Sequence, residues 1–175
     1  MRALAGWREA EWHDVGAVHF LALLGTALAM AIYYNESHED FVPIIDHVNL
    51  AFHETGHLVF GMFGKWPGIL GGTLGQLVMP LLAAVAFWRK GATFSFALTG
   101  LWFFQNFFNI ARYMADARAR LLPLVGGGDH DWTNLFFHWN VLAQDTVIAG
   151  WTTMLGVLGC VTVLAWLGWR AFIRQ

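Results

Sequence analysis

Two histidines four residues apart, His53 and His57, lie either side of Glu54 in the stretch 52–57, which reads F-H-E-T-G-H. Residues four apart on a helix share a face, with their Cβ atoms roughly 5–6 Å apart. Both imidazoles can therefore bind one metal ion, and zinc favours such a pair. A carboxylate beside the first ligand can take a proton from metal-bound water. The spacing predicts a zinc site with Glu54 as its catalytic base.

The H-E-x-x-H pattern is short, so chance occurrence has to be weighed. With 8 histidines among 175 residues, random placement gives the pattern in roughly one per cent of such chains. Its flanks at 44–45 and 58–60 are apolar, and ionisable groups inside a membrane segment are rare without a function. The alternative is a pair of buried structural histidines that neighbouring helices satisfy by hydrogen bonds.

The composition predicts an integral membrane protein. Only 13% of the residues are charged and 57% are hydrophobic, whereas soluble domains carry about 25% charged residues. Apolar runs of about 20 residues can cross a bilayer. We therefore predict an all-α polytopic helical bundle in a single domain, 1–175. Its elements are spans at about 15–34, 44–63, 69–88, 92–114 and 146–169, an interfacial N-terminal segment 1–14 and a loop or re-entrant segment 115–145.

Charge and cysteine content narrow the partners. The net charge is −2 without a basic run, which argues against nucleic acid and leaves the lipid bilayer as the main surroundings. Cys160 is the single cysteine, so no internal disulfide is expected. We expect no cleavable signal peptide.

The basic residues indicate an orientation in the membrane. They number six on the N-terminal side and four on the other. That bias predicts a cytoplasmic N-terminus, in a bacterial inner (plasma) membrane.

Polar side chains form stripes on two predicted spans, and lipid would not tolerate them. We expect both stripes to face the bundle interior. On the fourth span, helix-to-helix hydrogen bonding competes with a supporting role at the metal. Gly71 and Gly75 predict a close helix contact; the alternative is backbone exposed to an extended substrate. The stripes comprise Asp46, Asn49 (or Leu50), His53 and His57 on the second span, and Gln105, Asn109, Arg112 (or Tyr113) and Asp116 on the fourth.

A third metal ligand is expected from the trio Asp129, His130 and Asp131, which follows three glycines at 126–128. With alternating spans, this loop lies on the same membrane side as Lys65, near the end of the H-E-x-x-H helix. Asp131 is the preferred ligand, because two imidazoles and a carboxylate form an established catalytic zinc set. His130 is the runner-up, and Asp129 would orient a ligand imidazole. Alternatively, Asp131 only caps a helix that starts at 132.

The motif at His53-Glu54-Thr55-Gly56-His57 resembles the H-E-x-G-H of site-2 protease-like intramembrane zinc metalloproteases. The resemblance covers about 44–87, where the third span is also glycine-rich and followed by Pro80. It implies a small, divergent membrane zinc peptidase. The class takes its third ligand from an aspartate in an L-D-G context on a later span. This chain has no L-D-G, and Asp129-His130-Asp131-Trp132 stands in that place.

Three functions compete at this point. The first is a membrane-embedded zinc metallopeptidase that cuts a membrane protein or peptide with a metal-activated water. The second is a non-catalytic metal-binding or structural subunit of a larger membrane complex, associated with other membrane subunits. The third is haem or quinone binding through His19, His47 or His138. An open coordination position and a water path to Glu54 would favour the first function, and a closed shell of four ligands the second.

Overall fold

The computed structural model describes residues 11–36, 42, 44–124 and 129–174. Within these ranges the chain is all-helical and contains no strand, which confirms the all-α part of the predicted fold class. The helices are α1 Ala17–Glu36, α2 Ile45–Gly61, α3 Lys65–Arg89, α4 Thr93–Ala115, α5 Asp131–His138 and α6 Asp145–Phe172, with a 3-10 turn at Leu142–Gln144 before α6.

Each predicted span coincides with a helix to within a few residues. Three of the described stretches are long and apolar enough to cross a membrane: Ala17–Tyr34, Lys65–Arg89 and Leu142–Phe172. This indicates a membrane protein. The helices α2 and α4 carry the polar stripes, and their assignment as further spans stays a prediction. Most of the predicted interfacial segment, residues 1–10, lies outside the described residues.

The helices pack in the spatial order α2, α3, α4, α6 and α1, with α5 against α3 and α4. One apolar core lies between α4, α5 and the start of α6, around Ile110 and Phe136. A second joins α1, α4 and α6 around Leu23 and Leu101. Outward-facing side chains of α1 and α6 are largely apolar, as lipid contact requires. The helix with the H-E-x-x-H pattern, α2, is thus at one edge of the row. Its inward face meets α3, α4 and α5.

Glycines bring α2 and α3 into backbone contact, as the G-x-x-x-G pattern predicts. A Cβ atom on Gly56 would collide with the carbonyl oxygen of Gly71, and one on Gly75 with the carbonyl oxygen of Phe52. The turn between the helices passes through Gly64 at φ 117°, a conformation that side chains rarely adopt. Pro67 lies in the first turn of α3, where its missing N–H breaks no helical bond.

The segment 131–144 is separate from the last helix. The short α5 ends at His138, and Asn140 then adopts a positive φ of 57°, which asparagine tolerates better than most residues. Its N-cap is His130, whose Nδ1 accepts a hydrogen bond of 3.2 Å from the backbone N–H of Thr133. The alternative that Asp131 is the cap is therefore wrong, because Asp131 is the first residue of the helix itself.

Candidate metal centre

The polar face of α2 points into the bundle, as predicted. Asp46, Asn49 and His53 are only 2%, 1% and 9% exposed. The neighbouring faces of α3 and α5 close over the second half of this stripe, where the side chain of His57 remains 26% exposed. An inward stripe on an edge helix places both histidines against other elements and not against lipid.

Asp131 reaches both histidines across the bundle. Its Oδ2 lies 3.0 Å from Nε2 of His53 and 3.2 Å from Nε2 of His57. Two ligand atoms of a tetrahedral zinc, with bonds of 2.0–2.1 Å, are about 3.3 Å apart. The three ligand atoms all lie within 4.8 Å of one another. Among the residues that the structure describes, these three form the group that could hold a metal ion.

The hydrogen bond at Nδ1 of the His57 ring determines whether Nε2 of the same ring can bind a metal ion. Nδ1 lies 2.8 Å from the carbonyl oxygen of Gly68, which only accepts, so Nδ1 carries the hydrogen and donates it. In the neutral ring, Nε2 then presents a lone pair to the carboxylate of Asp131. Two acceptors at this distance need a cation between them, either a proton or a metal ion. A backbone carbonyl behind a ligand imidazole is also the usual way to orient it.

Gly72 of α3 leaves room beside both imidazoles. A Cβ atom at this position would lie 2.5 Å from Nε2 of His53 and 2.6 Å from Nε2 of His57. Any larger residue would therefore displace the nitrogen atoms that face Asp131. The sequence predicted a close helix contact at the flanking Gly71 and Gly75 and did not single out Gly72. The sequence did contain a signal: a third glycine stands next to the G-x-x-x-G pair, although the helix contact needs only the pair.

Several contacts hold Asp131 in place. Its backbone N–H donates a 3.1 Å hydrogen bond to the hydroxyl of Tyr113 on α4, and the cap on α5 comes from the preceding residue, His130. Burial alone would raise the pKa of Asp131. The hydrogen bonds to His53 and His57 outweigh burial and hold that pKa below its ordinary value, so the carboxyl is ionised.

His130 stands behind the site and outside the three-residue group. It is 1% exposed, and burial lowers the pKa of its imidazole although the nearby Asp116 carboxylate acts in the opposite direction. The lowered pKa keeps the ring neutral. Nε2 lies 3.3 Å from Oδ2 of Asp116 without the alignment of a hydrogen bond. Its Nδ1 is occupied as the cap of α5. The structure therefore places this predicted ligand as a support for Asp131.

A cavity of about 490 Å³ opens beside the three ligand atoms. Glu54 lines it and is half-buried, which fits the role predicted for this carboxylate. Asp129 is exposed and lines the same cavity. The walls come from α2, α3, α4, α5 and the loop at 122–124. The two chain segments that the span order places on one membrane side, around Lys65 and around Asp129–Asp131, do meet here.

The remaining candidate histidines lie elsewhere in the described part of the chain. His19 accepts a 3.2 Å hydrogen bond from the Gly16 backbone N–H at the start of α1. His138 stacks on Trp66, with ring centroids 3.7 Å apart. His47 is exposed on α2. None of the three belongs to a described group of metal-ligating side chains, and the haem and quinone hypothesis gains no support.

The polar stripe on α4 makes a different kind of contact. Oδ1 of Asp46 accepts hydrogen bonds from the side-chain amides of Asn49, Gln105 and Asn109, at 3.2, 2.8 and 2.7 Å. Its Oδ2 accepts one of 2.6 Å from the backbone N–H of Val42. For these α4 residues, the helix-to-helix alternative is confirmed.

Comparison of the chain with protein families, curated proteins and solved structures finds no match. Function must therefore be inferred from the site itself.

Proposed function

We propose that this protein is a membrane-embedded zinc metallopeptidase that hydrolyses peptide bonds in a membrane protein or peptide substrate. One observation carries the proposal: Asp131 converges with His53 and His57 at the wall of an open cavity that Glu54 also lines. Two histidines and a carboxylate are an established protein ligand set of catalytic zinc. Zinc bound there would lower the pKa of a water molecule and polarise a substrate carbonyl.

The residues of the chain divide the remaining work. Glu54 takes the proton of the attacking water and delivers it to the amine that leaves, as a carboxylate base beside the ligands can. Gly68 and Asp131 fix the His57 ring from both sides, so its lone pair points at the site. The 490 Å³ cavity lies within the range of small-molecule sites and suits a short piece of peptide.

The second candidate, a non-catalytic metal-binding or structural subunit, has less support. Structural zinc sites are closed by four protein ligands, and catalytic sites keep one position open. Within the described residues, three ligands meet next to a cavity. Five membrane spans, a cytoplasmic N-terminus and a bacterial inner membrane also belong to this proposal, because they follow from the sequence pattern alone.

Metal analysis and one substitution test the proposal. Full-length protein purified in detergent without chelator should contain about one zinc per chain, and Glu54→Gln should retain it. The same variant should lose about 10²–10⁴-fold of peptide hydrolysis, measured with a quenched fluorescent peptide library, because the amide keeps the size of the side chain without its basicity.

Thr55→Ser is the matched control on the same helix. Thr55 is exposed, and its hydroxyl donates to the Ala51 carbonyl at 2.8 Å on the outward side, so this variant should keep both zinc and activity. Wild-type protein free of any metal would contradict the proposal. Loss of zinc in Glu54→Gln would instead make Glu54 a ligand or a folding residue.

A further inference from the structure

The cavity contains a cation that the metal site does not use. Arg112 of α4 is half-buried and lines the cavity wall, yet within the described ranges its guanidinium makes no hydrogen bond and no ion pair of 4.0 Å or less. Arg118, which is exposed just after the end of α4, differs. Arg118 binds Oδ1 of Asp145 through Nε at 2.8 Å and through a terminal nitrogen at 2.7 Å. A partly buried guanidinium whose N–H groups have no acceptor is unfavourable, so this position favours an anionic ligand.

The acidic residues of the cavity leave the N–H groups of Arg112 without an acceptor, although Asp46 interacts with this arginine electrostatically. The oxygens of Asp46 are taken by the amide donors of α2 and α4, and those of Asp131 face the two histidines. Glu54 and Asp129 line the cavity without forming an ion pair with this arginine. Among the residues that the structure describes, no acceptor occupies the guanidinium, so its hydrogen bonds remain available to a ligand that enters the cavity.

Arg112 lies close to the group His53, His57 and Asp131 on the cavity wall. It precedes Tyr113, whose hydroxyl holds the backbone of Asp131, and it follows Asn109 by one helical turn on the same wall. Lys65, the first residue of α3, is a second cation on the cavity wall and is exposed. A guanidinium presents a planar fork that matches a carboxylate with two parallel hydrogen bonds.

We propose that Arg112 binds a carboxylate of the substrate beside the metal group, and so selects peptides that carry this charge close to the bond that is cut. The carboxylate is either the free C-terminus of a peptide or an acidic side chain. This inference rests on the proposed peptidase function and names the substrate class for the same site.

Three short peptide hydroxamates of identical sequence length test the inference. A hydroxamate binds zinc directly, so no turnover is needed. The first peptide ends in a free carboxylate, the second in an amide, and the third in an amide with a glutamate side chain next to it. Calorimetric titration into zinc-loaded full-length protein, in a non-ionic detergent that offers no competing anionic group, gives Kd for each. The variants are Arg112→Gln, Arg112→Lys and, as a control, Lys90→Gln, an exposed cation beyond the end of α3.

Wild-type protein and Lys90→Gln should bind at least one carboxylate-bearing peptide about 10- to 100-fold more tightly than the plain amide, the size expected for a charge-assisted hydrogen bond. Arg112→Gln should retain zinc, bind the amide as wild type does and lose the preference. Arg112→Lys, which keeps the charge without the fork, should show an intermediate preference. The peptide that binds more tightly identifies the source of the carboxylate.

Two results would overturn the inference while leaving the peptidase proposal intact: equal Kd values for all three peptides in wild type, or an unchanged preference in Arg112→Gln with full zinc occupancy. If wild-type protein holds zinc but binds no hydroxamate, the coordination position is closed. The peptidase proposal then fails together with the inference.

Discussion

Asp46 and Asp131 have opposite surroundings, although Asp46 lies on the inward face of α2 and Asp131 of α5 contacts that same face. Asp46 accepts hydrogen bonds from three side-chain amides and one backbone N–H, so donors surround its acceptors. Asp131 faces Nε2 of two imidazoles, one of which presents a lone pair. The first cluster is complete in itself, and the second needs a cation. Burial and polarity alone therefore do not distinguish a functional cluster in a membrane protein; the match of donors to acceptors does.

The surrounding helices reinforce this contrast. Around Asp46, the long amide side chains of α4 fill the space against α2 and join the two helices. Around His53 and His57, α3 presents Gly72, whose missing side chain leaves space next to the ligand nitrogens. One half of the α2 stripe is packed for stability, and the other half is kept open.

The largest expected effect comes from the same substitution at the two aspartates. Asp131→Asn should weaken zinc binding about 100- to 1,000-fold, because structural zinc sites are worth about 10–16 kcal/mol over four ligands and one ligand is then worth about 3–4 kcal/mol. Asp46→Asn should leave zinc affinity nearly unchanged. Competition with a chromogenic chelator measures both affinities.

The effect on stability should be reversed. In metal-free protein, Asp46→Asn turns one acceptor into a donor among donors, which should lower the free energy of unfolding by about 1–3 kcal/mol. Asp131→Asn should change it less. Similar zinc loss in both variants would remove the distinction between the two clusters.

The next effect is on pH dependence. Zinc affinity should fall as the pH falls, by up to about 100-fold per unit, because two imidazoles must lose protons to bind. Asp131 adds nothing to this slope, since the hydrogen bonds from the histidines outweigh its burial and hold its pKa below the ordinary 3.8. Asp46→Asn should show the same profile as wild type. A flat profile between pH 7 and 5, measured by chelator competition, would exclude the histidines as ligands.

A smaller effect is expected at Gly72. Gly72→Ala should weaken zinc binding about 10- to 100-fold, since overpacking of 1–3 kcal/mol would push aside two ligand nitrogens. Gly25→Ala on α1 is the control, because a Cβ atom there meets nothing within 4 Å. Circular dichroism establishes that both variants remain helical. Zinc affinity equal to wild type in Gly72→Ala would show that the metal, if bound, lies elsewhere.

The smallest effect should come from the cap of α5. His130→Ala removes an N-cap worth about 1 kcal/mol and should reduce zinc affinity by less than about tenfold. His138→Ala, at the other end of α5, is the matched control. If His130→Ala instead abolishes zinc binding as Asp131→Asn does, His130 is a ligand and the support role assigned to it is wrong.

Local periodicity was enough to predict much of this arrangement. The stripe on α2, the glycine contact of α3 and the approach of Asp131 follow from spacing, from small residues and from the side on which each loop lies. Gly72 was missed as a site residue, and Tyr113 was only an alternative to Arg112 on the stripe of the fourth span, because their roles depend on how α3 and α4 are rotated about their axes. Periodicity identifies a face, and it does not give the angle at which that face meets its neighbour. The number of membrane spans likewise stays a prediction.

The backbone carbonyl of Gly68 behind His57 has a consequence for how the sequence can vary. A side-chain partner could be lost by a single substitution, whereas every residue at position 68 supplies a carbonyl. The hydrogen bond that fixes the His57 tautomer is therefore preserved whatever side chain residue 68 carries. What restricts that position is steric, since a Cβ atom there would lie 3.0 Å from the Cα of Gly61. Among related sequences, we expect position 68 to vary only among small residues, while the orientation of the imidazole is unaffected.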